Sequence, residues 1–237
     1  MISVKRLVNP QIWNTYIYVG NNPLKFVDPL GLEKIQLGDS EEEIKRKKEA
    51  EKARKEALIA EKNALKKNKA ARDEIRAKQK EIDGANRNLN NFDKQLEATR
   101  VVNRMLDALD EIGERNGLQL SDFTITTDPK NDFAGASAAD LKAFVAQDGP
   151  NAPNRIYINT KISTGFYQQI TNVIDPNAGL YVFKGAAILR HEQYHFVHGR
   201  AENPAWRKER EVFNKFKPKF TNNLQLYEAL DNAIAAG

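Results

Sequence analysis

Cysteine is missing altogether from the 237 residues, and methionine and tryptophan occur only twice each. Without cysteine the chain has no disulfide, no thiolate nucleophile and no thiolate ligand, and it carries no mark of the redox compartment it works in. Nowhere do eighteen apolar residues follow one another, which excludes a membrane-spanning helix. The opening "MISVKRLVNPQIWNTY" lacks the long apolar stretch of a secretory leader, so no signal peptide is readable. Histidine is almost as scarce: there are three, His191, His195 and His198, all inside the stretch "ILRHEQYHFVHGR".

What is abundant is charge. The net charge of +5 has one source, because residues 41 to 80 hold fifteen Lys/Arg against nine Asp/Glu and the rest of the chain is nearly balanced. Ser40 followed by Glu43 is a capping-box signature. After it, Glu, Lys, Ala and Arg predominate, and apolar residues are sparse (Ile44, Leu58, Ile59, Leu65, Ile75). These are strong helix formers without a continuous seam, so the segment reads as a long, mostly exposed, basic helical arm. Gly84 with Asn86, Asn88, Asn90 and Asn91 is expected to weaken or break that helix. A second helix then carries a better stripe, Phe92, Leu96, Val102, Met105, Leu109 and Ile112, with Gly117 as a candidate C-cap.

From residue 118 the texture changes. "DFTITT" and "NRIYINTKI" alternate as strands do, and a short helix is expected between them near 138 to 146. An apolar helix, "YVFKGAAILRHEQYHFVHG", is expected to end at Gly199. Pro204 falls in the first turn of the next, which stops near Pro218, and "NNLQLYEALDNAIAA" forms the last.

Two stretches resemble known families. The first is "WNTYIYVGNNPLKFVDPLGL", within residues 10 to 32, where Tyr16 and Tyr18 precede Asn21-Asn22-Pro23 and then Asp28-Pro29-Leu30-Gly31-Leu32. It resembles the C-terminal end of the core of RHS-repeat proteins, the β-shells of bacterial polymorphic toxins. The resemblance implies that the polypeptide beyond Leu32 is a variable toxin domain, released in an intact parent by self-cleavage after that leucine. It also implies an RHS shell upstream, delivery into a target cell, and a cognate immunity protein in the producer.

The second is His191-Glu192-Gln193-Tyr194-His195, an H-E-x-x-H pattern. On a helix, residues four apart share a face, so both imidazoles can reach one ion. Zinc takes neutral imidazole nitrogen and leaves a position open. Glu192, rotated by about 100°, flanks the ion and can move protons for water that the metal has acidified. His198 lies too far along the helix for the same ion, and is expected to line the cleft or cap the helix end. For the third ligand, Glu209 stands out, because it lies in the apolar stripe Trp206, Glu209, Phe213, Phe216, where a carboxylate needs a partner. Glu211 shares a face with Arg207, Lys208 and Lys215 and reads as a solvated ion-pair partner, though the choice between Glu209 and Glu211 stays open. Glu202 is expected to hold the connecting loop.

The pattern resembles the zincin metallopeptidases of the glutamate-liganded kind. In these the third ligand comes from a downstream helix, and an acidic residue often stands one turn later, where this chain has Phe213. The resemblance implies that a protein substrate adds as a strand beside the active helix, with "NRIYINTKI" as the candidate edge. Tyr157 and Tyr227 both stay open as groups that could polarise a scissile carbonyl.

The reading is therefore an α+β chain in three parts. Residues 1–32 are an RHS core remnant, 33–117 a charged helical arm, and 118–237 a small zincin-like peptidase domain of short sheet and active-site helices. The expected activity is zinc-dependent hydrolysis of a target-cell protein, with His191, His195 and Glu209 on the metal and Glu192 catalytic. A nuclease-type toxin, suggested by the basic arm, is the second reading, although nucleic acid is the less favoured partner. A non-enzymatic helical interaction module is the third.

Overall fold

The computed structural model describes residues 34–126, 142–147, 153–162, 165–199 and 201–235; the stretch that resembles an RHS core and the cleavage expected after Leu32 lie outside them. The chain is mixed α and β. Two long helices, α1 (Glu41–Lys67) and α2 (Arg72–Glu111), precede strands and shorter helices around a four-stranded sheet. No helix among the described residues is long and apolar enough to cross a membrane.

Ser40 starts α1 as its sequence suggests. Its hydroxyl accepts the Glu43 N–H at 3.3 Å, and its own N–H donates to the Glu43 carboxylate at 2.8 Å. The break in the arm, however, falls at residues 68–71 and not at Gly84. Lys69 there takes a positive φ of 54°, and α2 runs unbroken through Gly84 and its asparagines for 40 residues, about 60 Å. Tertiary contact outweighs the roughly 1 kcal/mol glycine penalty. The chain doubles back, so α1 lies antiparallel on α2: Arg100 bonds Glu41 at 2.9 Å, Asn88 bonds Glu51 at 3.1 Å, and Lys78 pairs with Glu61 at 2.9 Å. Leu58 buries against Ile82 and Ala85, which fixes the helix on either side of Gly84.

The sheet has the order β1-β2-β4-β3. β1 (Lys34–Gln36) and β3 (Ala143–Gln147) are the edges and pair antiparallel; β2 (Phe123–Thr126) and β4 (Asn154–Asn159) run parallel in the middle. β1, from the segment assigned by sequence to the arm, is thus part of the sheet. β3 occupies residues where a helix was expected. "LKAFVAQ" is rich in helix formers, but Ala143, Val145 and Gln147 sit opposite Ile158, Ile156 and Asn154, and pairing with β4 overrides that weak preference. β4, expected as an edge, is interior, so its backbone groups are already taken on both sides.

One face of the sheet, with Phe123, Ile125, Ile156, Ile158 and Ala143, belongs to the main core. Against that core pack the last turns of α2, α3 (Phe166–Thr171), α4 (Ala178–His198), α5 (Glu202–Lys215) and α6 (Leu224–Ala235). α4 sits deepest: Ala186, Ala187 and Leu189 are fully buried. Gly185 lets it close on α2 and α3, since a Cβ there would come within 2.5 Å of the Met105 sulfur and 2.9 Å of the Phe166 ring. Phe183 of α4, Phe213 of α5, Phe216 just after it, Phe220 and Tyr227 form a ring cluster that locks α4, α5 and α6 together.

Behind α4, a buried carboxylate joins three parts of the chain. Glu114, just after α2, accepts from Lys208 at 3.2 Å and Arg190 at 3.3 Å, and also from Lys215. Gln193 bonds the Asn116 carbonyl at 2.7 Å. Burial pushes the Glu114 carboxyl up, but the Lys215 and Lys208 ammonium groups outweigh it and hold it below the ordinary carboxylate range. This clamp fixes the rotation of α4 about its axis, and with it the direction in which the histidines point.

Candidate metal centre

α4 presents its histidines as the four-residue spacing requires. His191 Nε2 and His195 Nε2 lie 3.0 Å apart, with the rings edge to face. The far side of each ring fixes which nitrogen carries hydrogen. His195 Nδ1 stands 3.0 Å from the Gly199 carbonyl, an acceptor, so that nitrogen donates and Nε2 keeps its lone pair. Gly199 reaches that place because it ends α4 with φ 82°, a conformation that favours glycine. His191 Nδ1 faces Glu209, whose Oε2 lies 3.1 Å away, though out of line with the N–H.

The third member is Glu202. The turn after Gly199 starts α5 there, and Glu202 Oε2 comes within 3.5 Å of His195 Nε2 and 3.6 Å of His191 Nε2. His191, His195 and Glu202 form a group that can hold a metal ion. Three electron-pair donors converge, and a positive charge must stand among them: a proton shared by the two rings, or a cation. Their separations of 3.0, 3.5 and 3.6 Å are close to the edge of a tetrahedron with bonds of 2.0–2.2 Å, about 3.3–3.6 Å. The donor set fits an ion.

Glu209 is therefore corrected as a ligand. It is 3% exposed and reaches the metal face of neither ring; its partner is the far nitrogen of His191. That is the place of the carboxylate that orients a liganding histidine and fixes its tautomer. Phe213, in a position where the resembled family often has an acid, is a fully buried core ring, and the acid beside His191 Nδ1 is Glu209. Glu211 pairs with Lys208 at 3.0 Å and Lys215 at 3.7 Å on the outside of α5, as the charge pattern suggests. His198 is exposed beside Tyr194, outside the group. Tyr157 is stacked on Phe144, and the Tyr227 hydroxyl bonds Asn214; neither lines the cavity.

Glu192 points into that cavity, buried but without a hydrogen-bond or ion-pair partner among the described residues. Burial drives its pKa up to about 7; the positive charge of His191 works against this, and the Glu209 and Glu202 carboxylates add to it. Burial pushes the His191 imidazole down, but the Glu209, Glu192 and Glu202 carboxylates outweigh it and hold it above its ordinary value. Three carboxylates around two rings make the pocket a cation-attracting place. The cavity measures about 940 Å³. Its walls include the whole of β3, Lys142, Lys184, Ile188 and Trp206, whose indole packs edge-on to His191 at 4.6 Å.

Comparison with protein-family models, with curated proteins and with solved structures returns no match.

Proposed function

We propose that the chain is a zinc-dependent peptidase of zincin type, the effector part of an RHS-type polymorphic toxin that hydrolyses a protein of the target cell. The observation that carries the reading is the convergence of His191 Nε2, His195 Nε2 and Glu202 Oε2 beside the buried acid Glu192. Two imidazoles with one carboxylate suit zinc; calcium and magnesium take shells of oxygen. When bound, such an ion supplies Lewis acidity to a carbonyl and lowers the pKa of water.

The protein's own residues do the rest. Glu192, buried beside the group and lining the cavity, can take a proton from attacking water and return it to the departing amine. Glu209 and the Gly199 carbonyl hold the two rings with Nε2 forward. Among the described residues β3 is an edge of the sheet and lies along the cavity, where an extended substrate could lie beside it.

Metal analysis of the purified full chain, with casein hydrolysis and growth inhibition on expression in a bacterial host, tests the reading. One zinc per chain is expected. Glu192→Gln should keep the zinc and lose both activities by at least about a hundredfold. Glu209→Gln should weaken zinc binding by about 10–100-fold, as loss of an orienting carboxylate does, and Glu202→Ala by more. Casein hydrolysis or toxicity undiminished in Glu192→Gln overturns the peptidase. Degradation of DNA or RNA that depends on Glu192 would favour a nuclease, and a chain without metal a binding module.

A further inference from the structure

Lys184 lies on the same face of α4 as the histidines, two turns before His191 and so about 10.5 Å along the axis. It lines the cavity yet is only 8% exposed, and it makes no hydrogen bond or ion pair among the described residues. A buried ammonium without a partner is rare, because losing its hydration is costly. Its neighbours worsen the position. Burial pushes the Lys184 ammonium below its ordinary value, and the Lys142 ammonium at the start of β3 pushes it further; the Glu209 carboxylate offsets part of this from beyond pairing distance. Glu209 is in any case turned to His191. Two lysines thus line the cavity that the three glutamates also line, one of them buried, and no carboxylate among the described residues lies within pairing distance of it.

We infer that Lys184 and Lys142 form a carboxylate-binding subsite that selects substrates bearing a negative charge two to four residues from the bond to be cut. The range comes from the helix: 10.5 Å along α4 corresponds to about three residues of extended chain at roughly 3.3 Å each, for a peptide that runs beside α4. A carboxylate entering there completes the charge pair that the fold leaves open. It comes either from an Asp or Glu side chain or from the end of a peptide chain. This subsite rests on the peptidase reading for its substrate, but its anion preference is measurable without turnover.

Three fluorescein-labelled peptide pools with random cores distinguish the sources: one with a fixed Glu and an amidated end, one with Gln in its place, and one with Gln and a free terminal carboxylate. Fluorescence anisotropy reads binding to the full chain carrying Glu192→Gln, and cleavage reads kcat/KM on the unaltered chain. A carboxylate pool should be favoured over the Gln amide pool by about tenfold or more, as a hydrogen-bonded charge implies. Added in either background, Lys184→Met, which keeps the apolar stem, should bring the favoured pool down to the level of the Gln amide. Lys142→Met, at an exposed position, should lower the preference by a few fold. Equal anisotropy for all three pools, or a preference that survives Lys184→Met, overturns the subsite. Discrimination in binding with no cleavage of any pool overturns the peptidase and leaves the anion site standing.

Discussion

The helical arm and the lobe that carries the candidate metal centre are built on opposite principles. Over most of its length the α1–α2 hairpin touches itself through lysine, arginine and glutamate pairs on the surface, with Leu58, Ile82 and Ala85 as a small apolar cluster partway along it. The lobe closes rings and branched side chains around α4, and apart from the buried Lys184 its charges are mostly exposed or gathered at Glu114 and the candidate metal centre. Exposed ion pairs contribute little each and weaken in salt, whereas core packing penalises every lost methylene. The arm is therefore long and weakly held, while the lobe is rigid where the chemistry needs fixed directions.

Substitutions can break that contrast in order of size. Phe213→Ala, in the fully buried ring cluster, should cost about 3–5 kcal/mol and lower the melting temperature of the lobe, measured by near-ultraviolet circular dichroism. Free zinc at a hundred times its Kd should raise the stability of the lobe by about 2.7 kcal/mol and EDTA should remove the gain, with amide exchange in the distal arm unmoved by either.

Acid should act on the lobe through Glu114. Its folded-state pKa is depressed, so its contribution is complete above the ordinary carboxylate range and is lost as pH falls through the folded value. Urea titrations should show Glu114→Gln costing about 2 kcal/mol at pH 7 and much less near pH 3. An equal cost at both would mean that the clamp is held by shape and not by charge. The smallest effect belongs to the arm: Leu58→Ala should cost about 1 kcal/mol, because an exposed hairpin can collapse around the gap. Hydrogen exchange should quicken in α1 and in α2 around Ile82, and zinc affinity should stay as it was.

Much of the site was legible because helical spacing is a strict rule. His191 and His195 had to share a face, Glu192 had to flank them, and Glu209 had to be buried with Trp206, Phe213 and Phe216. The structure places each of them so. What spacing could not decide was which side of an imidazole a carboxylate would meet. Glu209 reaches Nδ1, and the acid that reaches Nε2 is Glu202, exposed at the first turn of α5, where no periodicity marks it. Its only signal was its place directly after the Gly199 turn. In the fold, weak propensities gave way to pairing. "AFVAQ" became β3 because β4 offered an edge, and Gly84 stayed helical because α1 lay against it. The doubling back of the arm depended on contacts between residues far apart in sequence, from Lys78 with Glu61 to Arg100 with Glu41, which no local pattern displays.

Glu202 leaves one more consequence. Two donors of the tripod stand on the most deeply packed helix, while the third, 64% exposed at its side chain, hangs from a solvent-facing turn. Swinging that single arm outward opens a door to the two rings without parting any helices. An ion held by the three would enter or leave through one rotamer change, with both rings staying in place on α4.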